Sequence, residues 1–144
     1  MRAVDTNILV SARRSEAPQH LTALRALNSP ATGPEPWALP WPGIYEFLRV
    51  VTHPRVFYPP TPIEAASEAV ELLLASPSVV PLGEGARHRE ILAELLRASP
   101  VTGTFVHDAH IAALLLEHGV AEIVTGDEDL RRFTRLKIVN PFRA

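Results

Sequence analysis

The chain has 144 residues, of which 47% are hydrophobic and 21% charged, so its length fits one domain and its composition excludes wholesale disorder. Its 14 basic and 16 acidic residues give a formal net charge of −2, which excludes a basic nucleic-acid-binding surface over the whole chain. The absence of cysteine excludes a disulfide framework, a thiolate metal site and a cysteine nucleophile. No apolar stretch reaches the length of a transmembrane helix and no signal-peptide core follows Met1, so we expect a cytoplasmic protein without membrane contact.

Short apolar segments alternate with amphipathic segments along the chain. Strands are predicted at 2–5, 37–39, 79–80, 122–125 and 137–139. A helical turn is predicted at 6–10 and helices at 18–27, 43–52, 62–75, 86–99, 105–117 and 128–133, with an interruption over 28–36. Thr61 and Glu64 have the spacing of a capping box before the 62–75 helix. This alternation predicts one α/β domain over residues 1–144, with helices on both faces of a short-stranded parallel sheet in three layers.

Only four of the 16 acidic residues are aspartates, and they occur at three places: Asp5, Asp108, and Asp127 with Asp129. Asp5 and Asp127 each lie just after a predicted strand, and ligands of parallel sheets bind outside the carboxyl ends of the strands. Helix N-capping is the alternative explanation for each aspartate taken singly. Capping does not explain why the carboxylates should gather at one edge of the sheet.

Glu46 is a fourth acidic candidate because it lies in a predicted helix between apolar neighbours. Helical spacing places it beside Gly43, Phe47 and Val50, so we expect it to face inward and Arg49 to face outward. A structural salt bridge from Glu46 to an arginine is the alternative. Carboxylates held together repel one another unless a cation binds, and a few hard oxygen ligands suit Mg²⁺ or Mn²⁺. One or two such ions would activate a water and stabilise a phosphodiester under attack.

Two histidines offer a rival metal site. His107 and His110 are three residues apart on one predicted helix, a spacing that could present two ligands to zinc. No third ligand follows at a recognisable interval, so zinc is the weaker interpretation. His107 is also a candidate for contact with a substrate phosphate.

The acidic segments occur in the order that resembles the PIN domain, and within it the VapC-like toxins of bacterial type II toxin–antitoxin systems. The segments that carry the resemblance are 4–9, 44–49, 108–113 and 125–130. The resemblance implies a ribonuclease that uses Mg²⁺ or Mn²⁺ to hydrolyse RNA phosphodiester bonds with metal-activated water. The catalytic and metal-binding residues that it implies are Asp5, Glu46, Asp108 and Asp127.

Further roles follow from the same resemblance. Asn7 would orient Asp5, Thr125 would contact a ligand carboxylate or a water, and Asp129 would lie behind the ligands. Gly126 departs from the family pattern, because many relatives have a larger residue there. The resemblance also implies a homodimer and a cognate VapB-like antitoxin whose tail covers the site.

Because the site itself is acidic, RNA has to be attracted by cations at its rim. The substrate-binding candidates are Arg13, Arg49, His107 and Arg131, with Arg14, Arg55, Arg132 and Arg135 as further cations. Trp41 and Tyr45 could stack an unpaired base, although core packing is the simpler role for them. The alternative to an enzyme is a non-catalytic RNA- or protein-binding module on a PIN scaffold, which would normally lack one or more of the four acids.

Overall fold

A computed structural model describes residues 1–32 and 35–143 of the chain. Five parallel strands form its sheet, Arg2–Val4 (β1), Trp37–Pro40 (β2), Val79–Leu82 (β3), Glu122–Val124 (β4) and Lys137–Val139 (β5). Their order across the sheet is β3-β2-β1-β4-β5. The chain therefore builds one half of the sheet outward from β1 and then returns to build the other half from β4.

The described part of the chain also contains six α-helices and a short 3₁₀ helix at Glu128–Arg132. The α-helices are Thr6–Arg13 (α1), His20–Thr32 (α2), Trp41–Val51 (α3), Ile63–Ala75 (α4), His88–Ala98 (α5) and Phe105–Glu117 (α6). Most bounds lie within two residues of the prediction. The exceptions are α1, which is longer than the predicted turn, and α2, which continues five residues beyond 27; of the predicted interruption, residues 33–34 lie outside the described residues. None of the described helices combines the length and apolar character needed to cross a membrane.

Side chains that alternate along the strands divide the core into two clusters. Ala3, Ala38 and Ile123 face the cluster formed with α5 and α6, whereas Val4 and Val124 face the cluster formed with α1, α3 and α4. A period of two is the geometry of a strand buried on both faces, and burial of both apolar faces is the main stabilising contribution. The predicted three-layer α/β arrangement is confirmed.

The expected capping box at Thr61 and Glu64 is wrong. Pro62 is the N-cap of α4 and makes no side-chain capping bond, while the buried Thr61 hydroxyl accepts a hydrogen bond of 2.8 Å from Arg14. The Arg14 guanidinium also lies 4.6 Å from the ring centroid of Phe57. A guanidinium engaged on two sides cannot at the same time meet RNA, so Arg14 is a structural residue rather than a rim cation.

The edge at the carboxyl ends of β1 and β4 is where the strand order reverses. The backbone N–H of Asp5 donates to the carbonyl of Val124 at 3.0 Å, so the two strands stay paired up to the first aspartate. Ligand sites of open parallel sheets lie in the crevice at such a reversal. The fold therefore directs attention to the residues that follow β1 and β4.

Candidate active site

A cavity of about 310 Å³ opens at this edge of the sheet. All four predicted acidic residues line it, although they come from four separate parts of the fold: the end of β1, the middle of α3, the first turn of α6 and the turn after β4. The lining residues are Asp5, Thr6, Asn7, Val10, Ser11, Glu46, Val50, His107, Asp108 and Asp127. The structure thus brings together the residues that the strand-end rule and the inward face of α3 had predicted.

Asp5 is the most firmly held of these acids. One carboxylate oxygen accepts a hydrogen bond from the N–H of Thr6 at 2.8 Å and caps α1, as the alternative explanation expected. The other oxygen accepts from the Thr125 hydroxyl at 2.8 Å and from the Asn7 amide at 3.2 Å. Burial raises the pKa of Asp5, and the hydrogen bonds from Thr125 and Thr6 oppose that rise. Asp5 therefore both caps α1 and lines the acidic cavity.

Asn7 and Thr125 connect the end of β1 to the turn after β4. The Asn7 amide nitrogen donates to the Thr125 hydroxyl at 2.9 Å, and its oxygen accepts from the N–H of Gly126 at 2.8 Å. The Thr125 hydroxyl in turn accepts from the N–H of Asp127 at 2.9 Å. These bonds fix the position of Asp127 relative to Asp5 across 122 residues of sequence.

Asp108 experiences the mutual repulsion of the acidic side chains. Burial is the main cause that raises its pKa to about 6, and the negative charges of Asp127 and Asp5 add to the rise. His107, which also lines the cavity, acts in the opposite direction. A cation placed among these carboxylates would reverse the balance and favour the ionised form of Asp108.

Glu46 reaches the cavity because α3 packs closely on α1. The buried Thr6 hydroxyl donates to the carbonyl of Gly43 at 3.1 Å, and a Cβ on Gly43 would lie 3.3 Å from that hydroxyl oxygen. Glu46, one turn later, lines the cavity with its side chain 29% exposed, as its inward position predicted. Sequence reasoning missed Thr6, although the small residue at 43 on the face of Glu46 was a signal of close helix packing.

Arg49 is exposed, as expected, but it folds back onto Glu46. Its Nε donates to one carboxylate oxygen at 3.1 Å and its Nη2 donates to the other. The hydrogen bond from Arg49 is the largest cause that holds the pKa of Glu46 below its usual range. Glu46 thus both forms a salt bridge with Arg49 and lines the cavity.

The other predicted residues lie at the rim or beyond it. Asp129 is exposed and does not line the cavity, and its N–H donates to Asp127 at 2.9 Å. Arg13 is exposed in the last turn of α1, whereas Arg131 forms an ion pair of 3.1 Å with Glu128. Of the four predicted substrate contacts, His107 lies in the cavity wall itself.

The donor chemistry of the cavity fits a hard divalent cation, because its charged ligand atoms are carboxylate oxygens. Within the described residues, three ligand atoms that lie within 4.8 Å of one another occur elsewhere, at Glu84, His88 and His110. The carboxylates of the cavity do not form such a group among the described residues. His107 is not part of that group, and His110 instead pairs with Glu84 at 2.6 Å.

Comparison with known proteins finds relatives that match over nearly the whole chain. The model of the PIN domain matches residues 2–136. VapC ribonuclease Mb2897 of Mycobacterium bovis is 37% identical over 141 residues, which cover 98% of this chain and 95% of the relative. The fold is similar to that of Mycobacterium tuberculosis VapC20, a Sarcin-Ricin loop cleaving toxin (TM-score 0.66, 20% identity, 91% and 93% of the two chains covered).

A second solved structure has a similar fold. It is VapBC2 from Rickettsia felis bound to a DNA fragment from its promoter, with a TM-score of 0.67, 18% identity, and 96% and 97% of the two chains covered. The match to the family model and the identity to Mb2897 both span nearly the whole chain. The chain therefore belongs to the PIN-domain family, among its VapC ribonucleases.

Proposed function

We propose that this chain is a divalent-metal-dependent endoribonuclease and the toxin of a VapBC-type pair, with Asp5, Glu46, Asp108 and Asp127 as the residues that hold Mg²⁺ or Mn²⁺. The observation that carries the proposal is the convergence of four acids from four elements on one cavity at the reversal of strand order. The raised pKa values of Asp5 and Asp108 at this cavity support the catalytic interpretation over a non-catalytic module, because perturbed carboxylates cluster at functional sites.

The residues of the cavity would act by position and by charge. When bound, the divalent ion supplies Lewis acidity toward the phosphate and lowers the pKa of a water, which is the nucleophile. Asn7 and Thr125 hold Asp5 in place, and a cation held by Asp5, Asp108 and Asp127 would keep Asp108 ionised by offsetting the charges of the other two. Glu46 would join them as a ligand only by leaving Arg49, whose guanidinium would then be free for an RNA phosphate.

RNA would approach across a rim that combines few free cations with aromatic side chains. Arg13 is exposed, Arg49 becomes available through the exchange at Glu46, and Arg131 would have to leave Glu128. Trp41 and Tyr45 lie on α3 with side chains exposed enough to stack a base, and their ring centroids are 6.3 Å apart.

An antitoxin and a second copy of the chain are the partners that this assignment implies. The structure of VapBC2 supports a VapB-like partner, and exposed apolar side chains on α2 and α4 offer surface for a helix or a dimer mate: Leu21, Ile63 and Leu72. Light scattering of the chain alone and with its co-expressed antitoxin measures both associations. A monomer in both states contradicts the partner assignment and leaves the nuclease assignment intact.

The nuclease assignment is tested by metal binding and RNA cleavage together. Mn²⁺ should raise the melting temperature of the antitoxin-free protein, and Asp5→Asn should abolish that rise along with digestion of total RNA. Glu94→Gln, which removes an exposed carboxylate from α5, is the matched control and should behave like the parent protein. Protein that binds RNA in Mn²⁺ without cutting it would favour the binding-module alternative, and protein that neither binds Mn²⁺ nor cuts RNA contradicts the nuclease.

A further inference from the structure

A second group of metal-ligating side chains lies outside the acidic cavity. Glu84 comes from the loop between β3 and α5, His88 is the first residue of α5, and His110 lies on α6. One ligand atom from each lies within 4.8 Å of the others. His110 Nε2 is 2.6 Å from a Glu84 oxygen, and the rings of His88 and His110 meet edge to face with centroids 5.6 Å apart.

The loop that carries Glu84 is fixed to α6 by contacts that do not involve the three ligands. Glu117 of α6, with its side chain 5% exposed, accepts hydrogen bonds of 3.1 Å from the N–H groups of Gly85 and Arg87. A Cβ on Gly85 would lie 2.5 Å from a Glu117 oxygen, so only glycine permits this approach. His118 Nε2 lies 2.8 Å from the carbonyl oxygen of Gly83. The loop is thereby held in place before any ion binds, as a metal site requires.

His88 has a buried ring nitrogen that lacks a hydrogen-bond partner. Its Nδ1 lies 3.5 Å from Oε2 of Glu117, too far for a good hydrogen bond, and the His88 side chain is 14% exposed. A closer approach of about half an ångström would create the carboxylate–histidine pair that commonly orients a metal-bound imidazole. Such a pair would give Nδ1 of His88 the partner that it lacks and would fix the orientation of the ring.

The ligand set indicates which ion fits. Two imidazole nitrogens and one carboxylate oxygen form the His₂Glu set of zinc, which leaves one position for water, whereas the acidic cavity offers oxygen and suits Mg²⁺ or Mn²⁺. Zinc bonds of about 2.0–2.2 Å at tetrahedral angles separate ligand atoms by about 3.3 Å. The distance between His110 Nε2 and the Glu84 oxygen, now 2.6 Å, therefore has to increase by about 0.7 Å when Zn²⁺ binds. Glu84 is exposed, so its side chain can make this movement.

We propose that Glu84, His88 and His110 form a Zn²⁺ site, separate from the acidic cavity, that clamps the loop after β3 to α6. Because α6 also carries Asp108, the clamp would restrain the helix that supplies one wall of the cavity. The simpler role of these residues is an exposed ion pair with a neighbouring imidazole, which would contribute little and bind no metal.

The test measures Zn²⁺ affinity by isothermal titration calorimetry of the full chain after treatment with a chelator. A parallel experiment replaces Zn²⁺ by Co²⁺, whose visible absorption band reports the coordination of the ion. Asp5→Asn serves as the background, because it disables the acidic cavity. In that background, Glu84→Gln and His88→Ala should each weaken Zn²⁺ binding about tenfold or more and remove the visible Co²⁺ band. His53→Ala removes a histidine from the segment after α3 and is the matched control, with binding unchanged.

The outcomes separate the two interpretations. Equal Zn²⁺ affinity in the parent, Glu84→Gln and His88→Ala proteins overturns the site, as does loss of all Zn²⁺ binding in Asp5→Asn alone. If His88→Ala fails to fold, Glu84→Gln decides the matter, since it alters an exposed loop residue without changing its size. RNA cleavage plays no part in this readout, so the result is independent of the proposed nuclease activity.

Discussion

The side chain of Asn7 holds several residues of the cavity in position. Its amide nitrogen bonds Asp5 and Thr125, and its oxygen accepts the N–H of Gly126, so one side chain joins three residues of two strand ends. Asn7→Ala should weaken Mn²⁺ binding about tenfold, because Asp5 loses an orienting partner. It should also lower the free energy of unfolding by about 1–3 kcal/mol, because the Gly126 N–H loses its partner. Calorimetry and urea unfolding measure the two effects.

Asn140→Ala is the matched control for this substitution. The Asn140 oxygen also accepts a backbone N–H, that of Phe142 at 2.9 Å, but Asn140 does not line the cavity. It should lose stability while its Mn²⁺ affinity stays that of the parent. Similar losses of Mn²⁺ affinity in both variants would show that general loosening, rather than the position of Asp5, is responsible.

The raised pKa of Asp108 predicts an unusual pH dependence for the metal-free protein. The folded state binds a proton with a pKa of about 6, whereas the unfolded state releases it near 3.8. Between these values the folded state holds more protons, so the contribution of Asp108 to stability increases as the pH falls from 7.5 to 5. In EDTA, lowering the pH over this range should raise the melting temperature of the parent protein relative to that of Asp108→Asn.

Mn²⁺ provides the complementary half of that experiment. Bound cation favours the ionised carboxylate, so the rise in melting temperature that Mn²⁺ produces in the parent protein should shrink as the pH falls through 6, because a proton on Asp108 then competes with the cation. Asp108→Asn cannot gain or lose this proton. Subtracting its pH profile from that of the parent protein therefore removes the contribution of the other titrating groups. Identical pH profiles for the two proteins in EDTA would contradict the raised pKa of Asp108.

At the scale of elements, the turn after β4 is packed against the C-terminal segment. A Cβ on Gly126 would lie 2.6 and 2.8 Å from two ring carbons of Phe142, closer than carbon atoms approach one another. Gly126→Ala should therefore displace Phe142 and lower the free energy of unfolding by about 1–3 kcal/mol.

A double-mutant cycle tests that contact. In a Phe142→Ala background the added methyl group has space, so Gly126→Ala should cost about 1 kcal/mol less than it does in the parent protein. Urea unfolding of the four proteins gives the coupling energy. If Gly126→Ala lowers the free energy of unfolding equally in both backgrounds, the added methyl group strains the backbone of the turn and does not clash with the Phe142 ring.

The sequence predicted those elements whose ends carry strong local signals. The bounds of α6 agree with the prediction because Pro100 and Gly103 precede it, and Gly119 follows it with a φ of +72° that suits a helix C-terminus. The extension of α2 to Thr32 was not predicted, since Pro30 and the loss of apolar spacing after Leu27 both favoured an end. Local patterns therefore predicted both ends of α6 but not the end of α2.

At the scale of the whole molecule, the acidic cavity could be predicted and its surroundings could not. Residues at the carboxyl ends of parallel strands must share an edge, so Asp5 and Asp127 were placed by topology alone. The return of Arg49 to Glu46 and the meeting of Glu84 with His110 depend on side-chain rotamers and on a loop held by Glu117. Glu46 and Arg49 are three residues apart on one helix, so their pairing has a local signal in the sequence, whereas Glu84 and His110 are joined without one.

The net charge of −2 limits how the whole molecule can attract RNA. With Arg49 and Arg131 engaged by glutamates, we expect about three phosphate contacts, which give a slope near −2 for the logarithm of RNA affinity against that of salt concentration. Fluorescence anisotropy of an unstructured RNA, measured with Asp5→Asn protein between about 50 and 200 mM KCl, gives that slope. Arg13→Ala should reduce its magnitude by about 0.7, whereas Arg97→Ala, on α5, should leave it unchanged. A slope unaltered by Arg13→Ala would remove Arg13 from the RNA-binding rim, and one steeper than about −6 would contradict the small number of phosphate contacts expected here.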